Sequence, residues 1–378
     1  MRIAIVLNGR FPTDRAYGVT TGATYKELEK LGHKVIIYAF PNQAKIEVDF
    51  NFKIETFSEN LKSRIFRNLF SKNKGIASKI LWKFYLMEYL DWVKQSIAME
   101  KIDLLWIRDY NSIKITEDLR IKTLFEIHQK LDHQKILRIN RIKDLLVVAP
   151  ISKALISNTE EFKGRKVFAP MGIDENFLAS KTDVANYCKN IKERNIYTIT
   201  YAGKLFPGNV SKGVETIIEL SKIFKNQGIN LRFKIVGGNK VELNKFSNLL
   251  KRNKVESYFK LIGHVDHKEV PQYLKQSDFL ILTKPSSPKY SGFPLKALEA
   301  CSVGKLIMVE DCQIYRDIFE DKIFVLWFQQ DKLKKILEDL EYYINRSDLD
   351  GFLLNNIEFS REFTWSKRTS RILSEIHS

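Results

Sequence analysis

Three observations predict an α/β protein made of two doubly wound parallel sheets. Short apolar, strand-like segments alternate with helical stretches through the first 170 residues, and strands separated by helices pair in parallel. The same strand–turn–helix rhythm restarts at Tyr197-Thr-Ile-Thr-Tyr-Ala-Gly203. A chain of 378 residues, 44% hydrophobic, is long for one core and sufficient for two.

In the first half the expected strands are Arg2–Leu7, Lys34–Phe40, Asp103–Arg108, Lys122–His128 and Leu145–Pro150, with Lys166–Pro170 closing the series. Helical spacing covers Thr21–Leu31 and much of Leu61–Met99. After a polar segment, Ala179–Asn195, come strands Tyr197–Ala202, Arg232–Val236, Phe259–Ile262, Phe279–Thr283, Leu306–Val309 and Ile323–Leu326. Helices Val214–Asn226, Val270–Gln276 and Pro294–Val303 lie between them. The expected domains are 1–170 and 171–359, joined near Pro170-Met-Gly-Ile-Asp174, with a terminal helix in 360–378.

Composition narrows the function classes. The longest apolar runs, such as Ile3–Leu7 and Leu145–Ala149, are far shorter than the ~20 residues of a membrane span, so a soluble, cytoplasmic protein is expected. Cys188, Cys301 and Cys312 show no metal spacing, the six histidines form no HExxH, and no metal cofactor is expected. The net charge of +17 calls for an anionic partner: nucleic acid, an anionic bilayer or a phosphorylated substrate. No nucleic-acid-binding motif accompanies the charge, so nucleic acid is not expected. Between Asn60 and Met87 there is no acidic residue, while Lys62, Arg64, Arg67, Lys72, Lys74, Lys79 and Lys83 alternate with Ile65, Phe66, Leu69, Phe70, Ile80, Trp82 and Phe84. That mixture suits helices lying on a lipid interface, and equally two surface helices with a core-facing stripe.

Two segments carry chemistry. In Tyr201-Ala-Gly-Lys-Leu-Phe-Pro-Gly-Asn-Val-Ser-Lys-Gly-Val-Glu215 a strand ends, Gly203 turns the backbone, and Lys204 emerges at the carboxyl edge of the sheet, where doubly wound folds bind ligands. Ser211 is expected to cap the next helix, with Lys212 in its first turn. A cation there opposes the helix dipole unless an anion sits between the two lysines, and a diphosphate would fit. The second segment runs from Tyr290 to Lys305. Gly292 leaves backbone N–H groups approachable, Pro294 suits the first helical position, and Lys296 and Glu299 stand one turn apart. Glu299, on an otherwise apolar helix, needs a hydrogen-bonding partner: a ribose diol in one reading, Lys296 at the surface in the other. His128 ends Leu124-Phe-Glu-Ile-His on the face of Glu126, and its place at a strand's carboxyl end favours a site over a satisfied core histidine.

Together these segments resemble the retaining GT-B glycosyltransferases of family 4, whose pattern reads strand–Gly-Arg/Lys-Leu…Lys-Gly followed by Glu-x7-Glu with a Gly-Phe-x-Leu core. Further similarities fall in order along nearly the whole chain: Gly32-His-Lys-Val35, Ala169-Pro-Met-Gly-Ile-Asp174, Gly263-His-Val265, Tyr273-Leu-Lys-Gln-Ser-Asp278 and the end segment Phe359–Ile376 with Trp365. The resemblance implies two Rossmann-like domains facing across a cleft: an acceptor-side domain in 1–170, a nucleotide-sugar domain in 171–359, and a terminal helix crossing back onto the first. It implies that Lys204 and Lys212 bind the donor diphosphate, that Glu299 holds the ribose hydroxyls, and that His128 reaches the sugar. Gly203, Ser291, Gly292, Phe293 and Lys296 complete the expected donor site, and Tyr17 and Gly18 the acceptor-side loop. The chain departs from the pattern at Ser291, which replaces the first Glu, at Lys296, and at the reduced glycine loop Ala16-Tyr-Gly18.

The expected reaction is retaining, metal-independent transfer of a sugar from a UDP- or GDP-linked donor to a glycan or lipid-linked acceptor. Lysines and N–H groups near Phe293 would stabilise the leaving diphosphate. The setting implied is assembly of a surface polysaccharide, lipopolysaccharide or capsule at the inner face of the cytoplasmic membrane. Asp348-Leu-Asp350 reads as surface rather than as a metal motif. Rival readings are a sugar-nucleotide epimerase on the same fold and a catalytically silent membrane- or partner-binding subunit, the latter favoured by Ser291. A dehydrogenase lacks support because GxGxxG is absent after the first strand.

Overall fold

Parallel strands buried on both faces read as nearly unbroken apolar runs, and such runs form the framework here. The computed structural model describes residues 1–13, 16–41, 50–72, 75–207, 210–286, 293–319 and 323–377. They fall into two compact units, one of residues 1–171 with 365–378 and the other of residues 172–364.

Along the chain run β1 (Arg2–Arg10), α1 (Ala16–Lys30), β2 (Lys34–Phe40), β3 (Ile54–Thr56), α2 (Leu61–Lys72), α3 (Ile76–Glu100), β4 (Leu104–Ile107), α4 (Ile113–Leu119), β5 (Thr123–Ile127), α5 (His133–Ile139), β6 (Leu145–Pro150) and β7 (Arg165–Lys166). The second unit holds α6 (Lys181–Ile191), β8 (Tyr197–Ala202), α7 (Val214–Asn226), β9 (Leu231–Val236), α8 (Lys240–Arg252), β10 (Phe259–Gly263), α9 (Val270–Lys275), β11 (Phe279–Leu282), α10 (Leu295–Ser302), β12 (Leu306–Glu310), α11 (Gln313–Arg316), β13 (Leu326–Phe328), α12 (Lys335–Ile344) and α13 (Leu349–Arg361). The last helix, α14 (Trp365–His377), belongs to the first unit.

The first sheet has the order β3-β2-β1-β4-β5-β6-β7 and the second β10-β9-β8-β11-β12-β13, and the strand pairs in both are parallel. Registers such as Ile3↔Leu104 and Tyr197↔Leu231 align the carboxyl ends of the central strands. Period-2 alternation separates the two faces of each sheet. In β11, Phe279 and Ile281 join one core while Leu280 and Leu282 join another. Both sheets reverse direction of winding at their centre, between β1 and β4 and between β8 and β11, and such reversals open ligand crevices at the carboxyl edge.

Four expectations are corrected. The polar segment Ala179–Asn195 contains α6, which buries Val184, Tyr187 and Ile191 and starts in a capping box between Ser180 and Asp183. The strand expected over Lys166–Pro170 is only Arg165–Lys166, and the last strand of the second sheet is shifted to Leu326–Phe328. The terminal segment is two helices broken near Thr364 rather than one. Asp348 lies exposed beside Arg346 at the start of α13, as a surface residue.

Candidate functional site

The crevice of the second sheet is built where β8 and β11 end. Gly203 follows β8 with φ of 142°, outside the range open to most side chains. The next carbonyl, of Lys204, accepts a hydrogen bond from the Tyr201 hydroxyl at 2.9 Å, so the exposed Lys204 stands on a fixed backbone at the strand's end. Across the crevice the Thr283 hydroxyl donates to the Lys212 carbonyl at 2.5 Å. The N-cap of α7 is Gly213, left-handed at φ 79°, and a Cβ there would lie 2.5 Å from the Lys284 carbonyl. This close packing explains a correction: Lys212 lies in the loop before the N-cap rather than in the first helical turn. Ser211, two residues outside the helix, accepts from the Gly213 N–H at 3.1 Å and donates to Glu215.

Lys296 rises from α10 into the same region, its ammonium 4.7 Å from the centre of the Tyr201 ring. Burial and the like charge of Lys212 push its pKa down to about 7. Burial also lowers Lys212. Two cations thus face each other in a partly dry site, an arrangement that a diphosphate would relieve. Pro294 is the N-cap of α10, not its first helical residue, with ψ of 92° still extended.

Glu299 is only 7% exposed and is held neither by Lys296 nor by solvent. His267, in the turn after β10, donates from Nε2 to Glu299 Oε1 at 2.7 Å, and its Nδ1 lies 3.6 Å from Asp174. Burial alone would lower this histidine, but the two carboxylates overcome it and raise its pKa to about 10. His267 is therefore an imidazolium that fixes one Glu299 oxygen.

In the first sheet the crevice centres on His128 and Arg108, which follow β5 and β4. His128 Nε2 lies 2.9 Å from Glu126 Oε2 and 3.0 Å from Arg108 Nε. Arg108 Nε is also 3.1 Å from the same carboxylate oxygen. Arg108 Nε donates to His128 Nε2, and both groups close on the same carboxylate oxygen, so the guanidinium, the imidazole and Glu126 form one tight cluster. Arg368 of α14 reaches Glu126 Oε1 at 2.8 Å and the Pro170 carbonyl at 2.8 Å. Burial by itself would raise Glu126; Arg368 and Arg108 hold it well below the usual carboxylate range. Burial and Arg108 push His128 down to about 4, so the ring is neutral near pH 7. Arg108 also donates to the Thr21 hydroxyl at 2.6 Å and to the Tyr17 carbonyl at 3.0 Å, which fixes the start of α1 against β4.

Of the residues singled out in the sequence, Lys212, Lys296, Glu299 and the backbone of Lys204 gather in the second unit's crevice. Phe293 is half-buried against the α10 core. Ser291 and Gly292 lie outside the described residues. His128 and Tyr17 line one pocket of the first unit, and Gly18 is buried against Thr13. Sequence reasoning missed His267, whose carboxylate partners are 32 and 93 residues away. It also missed Arg108, although its position directly after the central strand β4 was a usable signal. Among the described residues no three His, Cys, Asp or Glu side chains converge as a metal-ligand group.

Residues 189–352, within the second unit, match the family described as Glycosyl transferases group 1. No curated protein sequence matches the chain. Among solved structures, sucrose-phosphate synthase from Thermosynechococcus elongatus is similar with a TM-score of 0.70 at 14% identity, covering 100% of this chain and 98% of its own. Anabaena Alr3699/HepE in complex with UDP and glucose gives 0.70 at 14%, with 100% of both chains covered. The UDP-forming α,α-trehalose-phosphate synthase from Burkholderia xenovorans gives 0.68 at 11%, covering 100% and 98%. The fold of this chain is that of the GT-B glycosyltransferases.

Proposed function

We propose that this chain is a retaining glycosyltransferase that moves a sugar from a nucleoside-diphosphate donor to a glycan or lipid-linked acceptor. The observation that carries the reading is the pairing of Lys212 and Lys296 beside a buried, oriented Glu299 at the switch point of a sheet whose sequence matches glycosyl transferases group 1. Lys204, Lys212 and Lys296 hold the diphosphate, and Glu299 takes the ribose hydroxyls through its second oxygen. As the bond from the anomeric carbon to the diphosphate breaks, the cations stabilise the charge that develops on the leaving oxygen. That oxygen takes the acceptor hydroxyl's proton as the acceptor oxygen bonds to the anomeric carbon from the same face, which retains configuration. The reaction needs no divalent metal in this reading. His128, neutral and fixed by Glu126, hydrogen-bonds or orients rather than taking a proton. A uridine donor is favoured by the UDP in HepE and by the UDP-forming synthase, both of this fold.

Purified protein is expected to hydrolyse its cognate nucleotide sugar slowly in the absence of acceptor, with EDTA making no difference. Proton NMR of the first-formed sugar should show the donor's anomeric configuration. Inverted product would contradict the retaining step, free epimer would point to an epimerase, and no turnover of any UDP-, GDP- or ADP-sugar would favour a silent subunit.

A further inference from the structure

The second unit's sheet carries a cavity of about 180 Å³ at its amino edge, opposite the crevice that holds Lys212 and Lys296. One wall is α6. The other is formed by Asp278, which precedes β11, and Lys305, which precedes β12. A cavity of about 150 Å³ holds one benzene ring, so this one takes a small molecule and excludes a nucleotide.

Hydrogen bonds fix these walls and occupy the two acids. The Tyr187 hydroxyl donates to the Asp278 carbonyl at 2.7 Å and accepts from the Leu306 N–H at 3.5 Å, so α6 is tied to the starts of β11 and β12. Asp278 Oδ2 accepts the Thr198 N–H at 2.8 Å, and its Oδ1 lies 3.3 Å from Arg194 Nε. Asp183 accepts from the backbone N–H and the hydroxyl of Ser180, both at 2.8 Å, in the capping box of α6. Lys275 donates to the Asn176 carbonyl at 2.9 Å.

Lys305 differs from these. Its ammonium lies 4.2 Å from the centre of the Tyr187 ring and makes no hydrogen bond or ion pair among the described residues. Burial pulls its pKa down to about 8, and Arg194 adds to the fall, against the opposing pull of Asp278 and Asp183. An ammonium shielded from water, with three N–H groups and only a ring face beside it, calls for an anion. Arg194 stands exposed at the rim, and its guanidinium has further N–H groups beyond the Nε that faces Asp278. Asn186 and Asn190, one turn apart on α6, line the same wall, and their side-chain amides make no hydrogen bond among the described residues. With Lys275, the lining has three cations against two carboxylates, so the cavity is net positive. Its donors come from both walls. A phosphate offers acceptor oxygens on every side, whereas a carboxylate presents two on one edge, so the donor arrangement fits phosphate.

We propose that this cavity is a second anion site, which takes the phosphate group of a small molecule between Lys305 and Arg194. The ligand is orthophosphate or a compact phosphomonoester. The site shares no residue with the Lys212–Lys296 crevice and stands whether or not the glycosyltransferase reading does. Its walls are closely packed: Gly304, just before Lys305, has φ of 64°, and a Cβ there would lie 2.8 Å from Val184 Cγ2 of α6.

The test is calorimetry of the full chain in phosphate-free buffer, with orthophosphate, glycerol 3-phosphate, succinate and magnesium chloride titrated separately. One equivalent of orthophosphate or of glycerol 3-phosphate is expected to bind, and the tighter of the two tells free phosphate from a phosphomonoester. Lys305→Met and Arg194→Gln should each weaken that equivalent about tenfold, the loss of one charge-assisted contact. Lys212→Met should leave it unchanged. Should Lys305→Met fail to fold, Arg194→Gln, at an exposed position, decides alone. Phosphate binding that survives both of these substitutions and is lost in Lys212→Met would place the anion in the other crevice and overturn the site. Succinate bound as tightly as phosphate would overturn the phosphate class, and magnesium binding lost in Asp278→Asn would make the cavity a cation site. No saturable binding of either phosphate probe in the millimolar range would remove the site.

Discussion

Lys296 is the side chain whose chemistry depends most on what occupies the crevice. Its ammonium faces Lys212 from the loop before α7, Glu299 on its own helix, Glu310 from β12, Cys312 beyond it and the Tyr201 ring. Burial leads and Lys212 adds to it, and together they outweigh the carboxylates, bringing the pKa to about 7. His267, raised to about 10, keeps its proton throughout the range in which Lys296 titrates. A diphosphate beside Lys296 favours the charged form and raises its pKa in the complex. Between the two values the complex holds more protons than the free protein, so affinity is greatest at low pH and falls as pH rises above about 7. Calorimetry of UDP at pH 8 in two buffers of different ionisation heat should therefore report proton uptake. Lys296→Met should abolish both the uptake and the fall in affinity between pH 7 and 9. Binding that is flat with pH in the parent would separate Lys296 from the phosphate.

At the scale of elements, the hairpin α2–α3 supplies an inward and an outward apolar face from one sequence stretch. Tyr85, Leu86, Tyr89 and Leu90 go into the core, and Tyr89 donates to the carbonyls of Leu7 and Tyr38 at 2.8 and 2.9 Å. Leu61, Ile76, Ile80 and Phe84 stay outside. Apolar residues are too frequent in α3 for a single stripe to emerge from spacing, so only packing separates the inward set from the outward one. The outward set should carry the protein onto vesicles containing anionic phospholipid and release it as salt is raised. In sedimentation assays Phe84→Asp should reduce the bound fraction several-fold without lowering the melting temperature, since Phe84 is 47% exposed. Failure to sediment with anionic vesicles even at low ionic strength would reject the lipid surface. The opposite lesson comes from α6. Its apolar residues Val184, Tyr187 and Ile191 are sparse within a polar run, and the capping box at Ser180 and Asp183 was the signal that pattern counting overlooked.

Over the whole molecule, what could be read in the sequence follows from what each group buries. The central strands β2, β6, β8 and β9 are covered on both faces, so their apolar runs mark them within a residue or so, whereas β1 runs three residues past the apolar run Ile3–Leu7 to Arg10. Short edge strands carry no such mark: Ile54–Thr56 and Arg165–Lys166 are mostly exposed pairings. Lys212 and Glu299 were legible because local glycines and an apolar helix made their charges anomalous. The partners that tune them were not. His267 meets Glu299 from another loop, and Arg368 meets Glu126 from 242 residues away, contacts that topology alone creates. The first residue of the Glu-x7-Glu pattern, Ser291, lies outside the described residues.

The central claim is that lysines at the exit of β8 and before α7 hold a diphosphate. Isothermal calorimetry of UDP with the parent, Lys204→Ala and Lys212→Ala tests it most directly. Each substitution should weaken binding about ten- to hundredfold, the range for losing a charge-assisted hydrogen bond, while the melting temperature without nucleotide stays within a degree or two of the parent's. Equal affinity for UDP in all three proteins would contradict the account.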